Sequence, residues 1–581
     1  MPEFEDPYDW RRVRDAGGLL REFNDAGVLE AADVHVASRL AKLAGESDDT
    51  VVLAVALVVR GLRAGSVCVD LTTVADEIGT ELPWPELRAW LAAVRASPLL
   101  GSPPVLRLYN EQLLYLDRYH REEEQVCADL LATREHQVPL DAAAVTVGLD
   151  RVFPEPKFVE QRAAAQIALS QWTTVLTGGP GTGKTTTIAG LLALLAEQAE
   201  LAGRTRPRIA LAAPTGKASA RLQHAVATEV DHLGPLDRAR LSGLQAVTLH
   251  RLLGARPDTS ARFKHHRGNR LPFDVIVVDE TSMVPLTMMA RLLESVRPAT
   301  RLILVGDPDQ LASVEAGAVL ADLVDGLGAR SDLEVAGLHT SHRFGESIGL
   351  LAEAIRRGDG DAVLEVLRAG GEHIEYIDDA DPTPRLRDVL VRHAVRIRDA
   401  AARGDAAAAL AALEDHRLLC AHRDGPHGVR QWNRQIERWL SEATGETLWA
   451  SWYVGRPVLV TANDYGLKLY NGDTGVAVAD GDGLRAAISG ATGVLDFATS
   501  RLAEVETMHA MTIHKSQGSQ AEEVTVLLPS EDSRLLSREL FYTAVTRAKH
   551  KIRVVGTEAA VRAALDRRVV RATGLRLRLA N

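Results

Sequence analysis

The spacing of apolar residues divides this chain in two. Over residues 1–134 they recur with a helical period in an Ala- and Leu-rich background, as at 51–62 and 85–94. This predicts a mostly helical N-terminal domain. The run 51–59 is continuously apolar but far short of the roughly 20 residues a membrane span needs, so a buried core helix is expected. Residues 109–124 combine charge with a Leu/Tyr stripe. An amphipathic helix packed within the chain is the plainer expectation, and a partner-facing helix the alternative. Pro139, Pro154 and Pro156 predict a linker over 135–158.

From Gln161 onward, short apolar runs alternate with Gly-rich turns and longer helical patterns. Strands are expected at 173–176, 209–212, 275–278 and 302–305. A second series follows at 417–420, 458–461, 524–528 and 552–555. Strands alternating with helices predict parallel sheets covered on both faces, hence an α/β fold. The expected boundaries are 159–345 and 346–581, with a small β-rich insertion at 471–506, where Gly and Asp turns separate short alternating segments.

With 581 residues, several cores of this kind can form. The cysteines Cys68, Cys127 and Cys420 are scattered, with no metal-ligand spacing or disulfide framework, which fits a reducing cytosol. The acidic stretch 1–9 lacks the apolar run of a secretory signal. A net charge of -11 argues against a polyanionic partner unless the positive charge is local. Lysine is rare, yet Lys184, Lys217, Lys515 and Lys549 all fall inside the motifs below.

Gly178-Gly179-Pro180-Gly181-Thr182-Gly183-Lys184-Thr185, followed by Thr186, is a phosphate-binding loop between an expected strand and an expected helix. Glycines let backbone N–H groups approach the phosphates, Lys184 reaches the β- and γ-phosphates, and the Thr185 hydroxyl suits Mg²⁺. The apolar strand ending in Asp279-Glu280 supplies what hydrolysis then needs. Asp279 is the expected Mg²⁺ carboxylate and Glu280 the expected base for the attacking water.

The motifs that follow resemble those of superfamily 1 helicases of 5′-to-3′ polarity, over about two-thirds of the chain. The resemblance implies two RecA-like P-loop NTPase domains, ATP as substrate and Mg²⁺ as cofactor. It implies adenine reading by Gln161 and γ-phosphate sensing by Gln310 in the run Gly306 to Leu311. It implies arginine fingers at Arg343, in Ser341-His342-Arg343-Phe344, and at Arg547, in the run Tyr542 to Lys549. DNA contacts are implied for Thr215 and Lys217, for His250, and for Thr512, His514 and Lys515. By chemistry alone, the lesser alternatives are that His250 is a structural histidine and Lys217 a solvated loop charge. The basic stretch Arg262 to Arg267 could touch DNA or form a solvated loop.

The phrases Gly455-Arg456-Pro457-Val458, Asn463-Asp464-Tyr465-Gly466-Leu467, Asn471-Gly472-Asp473 and the run Ala421 to Gly428 are similar to the alpha-subunit family of exodeoxyribonuclease V, the RecD type. That resemblance implies a helicase–nuclease that processes double-strand breaks. In it a RecB-like beta subunit carries the nuclease and a 3′-to-5′ motor. A RecC-like gamma subunit receives the N-terminal domain. Stand-alone RecD-like helicases are the alternative, although their N-terminal regions are longer and carry DNA-binding hairpins. An ATP-bound clamp that does not hydrolyse is the alternative of another class, against which Glu280, Gln310, Arg343 and Arg547 argue.

Overall fold

Val275–Val278 is apolar and buried at every position, as a strand must be when helices cover both faces of its sheet. In the computed structural model it lies inside a six-stranded, all-parallel sheet. The order is Ala336–Leu338, Thr173–Gly178, Arg301–Gly306, Val275–Val278, Ile209–Ala213, Ala246–Thr248. The carboxyl ends of three adjacent strands therefore carry the phosphate loop, Asp307 and Asp279 to one edge. Lys184–Leu201, apolar on all sides, is buried along nearly its whole length beneath that edge. The structure describes residues 9–79, 81–132, 138–256, 259–330, 333–341, 346–379, 381–448, 450–464, 466–481, 483–490 and 493–580.

The second unit is a five-stranded parallel sheet, ordered Ile374–Ile377, Ala548–Val555, Ala521–Leu527, His416–Cys420, Ala510–Thr512. The apolar run at 458–461 does not join it. Pro457–Val460 instead pairs antiparallel with Thr474–Asp480 and Val505–Thr507. It belongs to a separate five-stranded antiparallel sheet, so the β-rich insertion begins earlier than 471. The reason is burial: Leu459 packs into the core of the second unit while Val458 and Val460 pack into the insertion's own core. A strand covered on both sides reads the same in either sheet type.

Three further expectations change. The Pro-rich stretch before Gln161 contains the helix Ala142–Val152, capped by Asp141, which accepts from the Ala144 N–H at 3.0 Å. Residues 109–124 divide between the strands Leu106–Tyr109 and Leu113–Leu116 and the helix Asp117–Leu131. That helix packs on Leu286–Ser295 of the first motor unit, so its stripe is internal. The N-terminal domain is helical around the fully buried run Val51 to Val58, with a small antiparallel sheet added. No described helix is long and apolar enough to cross a membrane.

The segment 571–580 leaves the second unit and returns to the first. Leu575 and Leu579 join the core that Leu320, Leu323 and Leu327 share with Tyr115 and Val126 of the N-terminal domain. At its centre Glu123, fully buried, accepts hydrogen bonds from Tyr115 Oη (2.9 Å), Thr573 Oγ1 (2.8 Å) and the Gly574 N–H (3.1 Å), and pairs with Arg578 Nε at 3.4 Å. Arg578 also lies over the Tyr109 ring, 3.8 Å from its centroid. These bonds clasp three parts of the chain together.

Burial, and then the Glu123 charge, push the neighbouring Asp322 carboxyl up to about 8 from an ordinary 3.8. A raised folded pKa means that the native state keeps a proton which the unfolded chain releases. The stability this confers is complete below about pH 4 and is lost as pH rises through about 8. Hydrogen-exchange protection of residues 571–580, corrected for intrinsic rates, is expected to fall between about pH 5 and about pH 9. Asp322→Asn should flatten that dependence; an unchanged slope would assign it to another group.

Candidate nucleotide and DNA site

The phosphate loop needs backbone geometry that only glycine adopts freely. Gly181 and Gly183 have φ of 82° and 87°, and a Cβ on Gly183 would sit 2.8 Å from the Gln161 amide. Lys184 opens the helix behind the loop, and its Nζ donates to the carbonyls of Gly178 and Gly179, at 2.9 Å for the latter. Burial pushes its ammonium down, while Asp307, Asp279 and Glu280 oppose that shift. These lone pairs hold the lysine where phosphate oxygens would replace them.

A cavity of about 770 Å³ opens in front of the loop. Gln161, Pro180, Gly181, Gly183, Lys184, Thr185, Thr186, Asp279, Glu280, Gln310 and Arg547 all line it, so most of the nucleotide residues expected from sequence converge there. Gly178, Gly179 and Thr182 form the loop's inner side, where Thr182 Oγ1 donates to the Gly179 carbonyl at 2.9 Å. Gln161 is fully buried; its Nε2 donates to the Thr182 carbonyl at 2.8 Å, and its Oε1 has no partner. A buried acceptor without a donor suits the exocyclic amine of adenine. Phe158, with Lys157 Nζ 5.0 Å from its ring centroid, adds an aromatic wall that the motifs did not announce.

Burial and the Glu280 charge push the Asp279 carboxyl up to about 6. Glu280 sits in the left-handed region at φ 52°, a conformation a non-glycine residue holds only when its surroundings impose it.

The second unit enters through Arg547. This side chain, 3% exposed, donates to Gln310 Oε1 at 2.8 Å and to the carbonyls of Thr543 (3.0 Å) and Ser519 (3.3 Å). Gln310 Nε2 donates to Asp307 at 2.9 Å, and Tyr542 Oη donates to the same carboxylate oxygen at 3.2 Å. Two more bonds cross the cleft: the Leu311 N–H to Thr543 Oγ1 at 2.9 Å, and Gln517 Nε2 to the Leu311 carbonyl at 2.7 Å. Arg343, the other expected finger, lies outside the described residues, as do His342 and Phe344. Ser341, just before it, reaches the loop with Oγ 3.3 Å from the Pro180 carbonyl.

Of the expected DNA residues, Thr215 and His250 line one groove, Thr512 and Lys515 a second, and His514 and Lys217 neither. Thr215 and His250 line a groove of about 560 Å³ with Pro214, Thr248, Tyr470 and Asn471. Tyr470 comes from the insertion and abuts Gly216, where a Cβ would sit 2.9 Å from the tyrosine Cβ. Thr512 and Lys515 line a second groove of about 690 Å³ with Arg423, Arg430, Arg434 and Arg456. Glu506 bridges that groove, accepting from Lys515 Nζ and from Arg423 Nη2, each at 2.8 Å. Against the effect of partial burial, these two cations hold its carboxyl below the usual range. His514 is half-buried on the turn between Thr512 and Lys515, within electrostatic reach of Arg571.

Lys217 is in neither groove. It faces Arg417, Glu414 and Asp473 between the units, where burial and then Arg417 push its ammonium down to about 8. In the basic stretch, Arg267 pairs with Asp129 at 2.7 Å, which ties the hairpin Ala255–Arg256/Thr259–Phe263 to the N-terminal domain.

A family model described as an AAA domain matches residues 161–316, and one described as a UvrD-like helicase C-terminal domain matches 507–555. The N-terminal domain model of RecBCD enzyme subunit RecD matches 25–113. RecBCD enzyme subunit RecD of Mycobacterium tuberculosis is 69% identical over 566 residues, covering 97% of each chain. The subunit of the same name from Mycolicibacterium smegmatis is 70% identical over 562 residues, covering 97% of this chain and 99% of that one. The ATP-dependent RecD2 DNA helicase of Deinococcus radiodurans is 29% identical, over 82% of this chain and 60% of that protein. With a phosphate loop, paired acids and a cross-cleft arginine in one cavity, the chain belongs to the family of RecBCD enzyme RecD subunits and is an ATP-dependent DNA helicase.

Proposed function

We propose that this chain is the 5′-to-3′ motor of a RecBCD-type helicase–nuclease acting on double-strand DNA ends in the cytoplasm. Its proposed partners are a RecB-like beta subunit and a RecC-like gamma subunit. The observation that carries the reading is the bond from Arg547 of one unit to Gln310 of the other, between two buried residues that line the nucleotide cavity. The γ-phosphate would lie among Lys184, Gln310 and Arg547, so its presence or loss changes how the two units hold together. Glu280 would take the proton of the attacking water.

Thr185 and Asp279 fit Mg²⁺. A hydroxyl and a half-buried carboxylate already pressed toward protonation line the same cavity, and hard oxygens of this kind complete a shell made largely by phosphates and water. When bound, the ion supplies charge stabilisation at the phosphate oxygens.

The two grooves supply the proposed track. Thr215 and His250 would hold backbone on the first unit, with Tyr470 offering a stacking face. Thr512, His514 and Lys515 would hold it on the second. Lys217 would act between the units and reach phosphate only as they move. Alternating grip on the two grooves, timed by ATP, gives directed movement. On the N-terminal domain, Val36 and Leu43 are exposed seven residues apart on one helix face and would contribute to partner docking.

Lys184→Ala should abolish DNA-stimulated ATPase in a steady-state assay with oligo(dT), and Arg547→Ala should lower it by roughly 10³-fold with the fold intact by circular dichroism. Turnover near wild type in either would overturn the assignment. Gln161→Ala should erode the preference for ATP over GTP, read from competition binding. Glu506→Gln should free Lys515 and Arg423 and tighten oligo(dT) binding severalfold at low salt, with the gain fading as salt rises; weaker binding in fluorescence anisotropy would remove Glu506 from the track.

A further inference from the structure

Arg221 lies in the nucleotide cavity although it belongs to none of the motifs read from the sequence. It lines that cavity with Lys184, Asp279, Glu280, Gln310 and Arg547, and its Nη1 is 4.0 Å from Glu280 Oε1. Among the described residues Glu280 is its one ion-pair partner. Its side chain is 37% exposed, and a contact of that length at a wet surface adds little stability. What its placement does provide is a charged neighbour for the acid expected to deprotonate water. The Arg221 guanidinium thus lies beside a carboxylate whose residue already holds a left-handed backbone.

The helix that carries Arg221 connects this charge to the DNA groove. Gly216–His232 is capped by Thr215, whose Oγ1 accepts from the Ala218 N–H at 3.1 Å. Thr215 lines the groove with His250 and Tyr470, and Gly216 abuts Tyr470 of the insertion. Arg221 follows about 9 Å along the same axis. A helix moves as a rigid rod, so a displacement of its first turn by DNA is transmitted to the guanidinium.

We propose that Arg221 is a positioning residue that couples DNA grip to hydrolysis by setting the orientation of the Glu280 carboxylate toward the attacking water. The proposal rests on Glu280 being the base. Without DNA, the Arg221 guanidinium is not placed to draw the carboxylate toward the water. DNA at Thr215 shifts the helix and brings the carboxylate into line. Arg221 touches neither strand nor reacting atoms in this role, and acts through Glu280.

The test is steady-state ATPase of the full chain with and without saturating oligo(dT), for Arg221→Ala, Arg221→Lys and Glu280→Gln, with oligo(dT) affinity measured in parallel. Arg221→Ala should lower the DNA-stimulated kcat by about tenfold or more, bringing the stimulation ratio toward one. KM for ATP and oligo(dT) affinity should stay within about threefold of wild type. Arg221→Lys, which keeps the charge but not the fork, should recover part of the ratio. A wild-type ratio in Arg221→Ala overturns the proposal. So does a loss matched by lost ATP or oligo(dT) binding, which is the mark of a structural role, and so does an Arg221→Lys variant no better than Ala. Glu280→Gln separates the two levels: if it keeps wild-type turnover, the base assignment itself has failed, whatever Arg221 does.

Discussion

A guanidinium buried at 3% exposure must find acceptors, and Arg547 finds them on both sides of a domain boundary. Within its own unit it uses main-chain carbonyls of Thr543 and Ser519; across the cleft it uses Gln310. Gln310 is in turn held by Asp307, and Asp307 by Tyr542, so the chain of bonds crosses the cleft twice. Each member is oriented by the next, and none can move alone without leaving a buried polar group unsatisfied. The relative position of the two motor units is thereby tied to the one place where a γ-phosphate would compete for the same groups.

The remaining architecture keeps that cleft the softest joint. The first motor unit, the N-terminal domain and the segment 571–580 share one apolar core and the buried Glu123 network, which makes them a single body. The insertion packs on the second unit through Val476, Val478 and Ala487 and touches the first through Tyr470. Across the cleft the two sides meet through the polar bonds of Asp307, Gln310 and Leu311, with the Leu311 side chain seated in the apolar core of the second unit. Polar bonds can be exchanged for bonds to ligand without exposing apolar surface, which is what a cycling joint requires.

What could be read from sequence is what depends on neighbouring residues. The loop Gly178 to Thr185 declares itself because its backbone geometry, its lysine and its hydroxyl are consecutive. The strand Val275–Val278 declares itself because burial on both faces leaves no polar position. Arg221 could not be found in this way. It stands six residues beyond Thr215 on a polar helix and acquires meaning only opposite Glu280, fifty-nine positions later. Tyr470 is the same case, since its neighbour Gly216 is remote in sequence. The strand Pro457–Val460 departs from its expected sheet for a different reason: an apolar run reports burial on two sides and says nothing of the direction of its partner. Lys217 sits in a phosphate-gripping motif, yet it lies within electrostatic reach of Arg417, Glu414 and Asp473 of the second unit and lines neither groove.

The clasp around Glu123 also bears on the order in which the molecule is assembled. Arg330 donates to the Leu579 carbonyl across 249 positions, and Cys127 reaches the Arg578 carbonyl across 451. Such contacts form late, because a long loop must close before they give any return. During synthesis, the leucines of Val319–Gly328 remain uncovered until the helix Leu575–Ala580 emerges. A half-made first motor is therefore a sticky one, and that surface closes only once Leu575 and Leu579 have reached it.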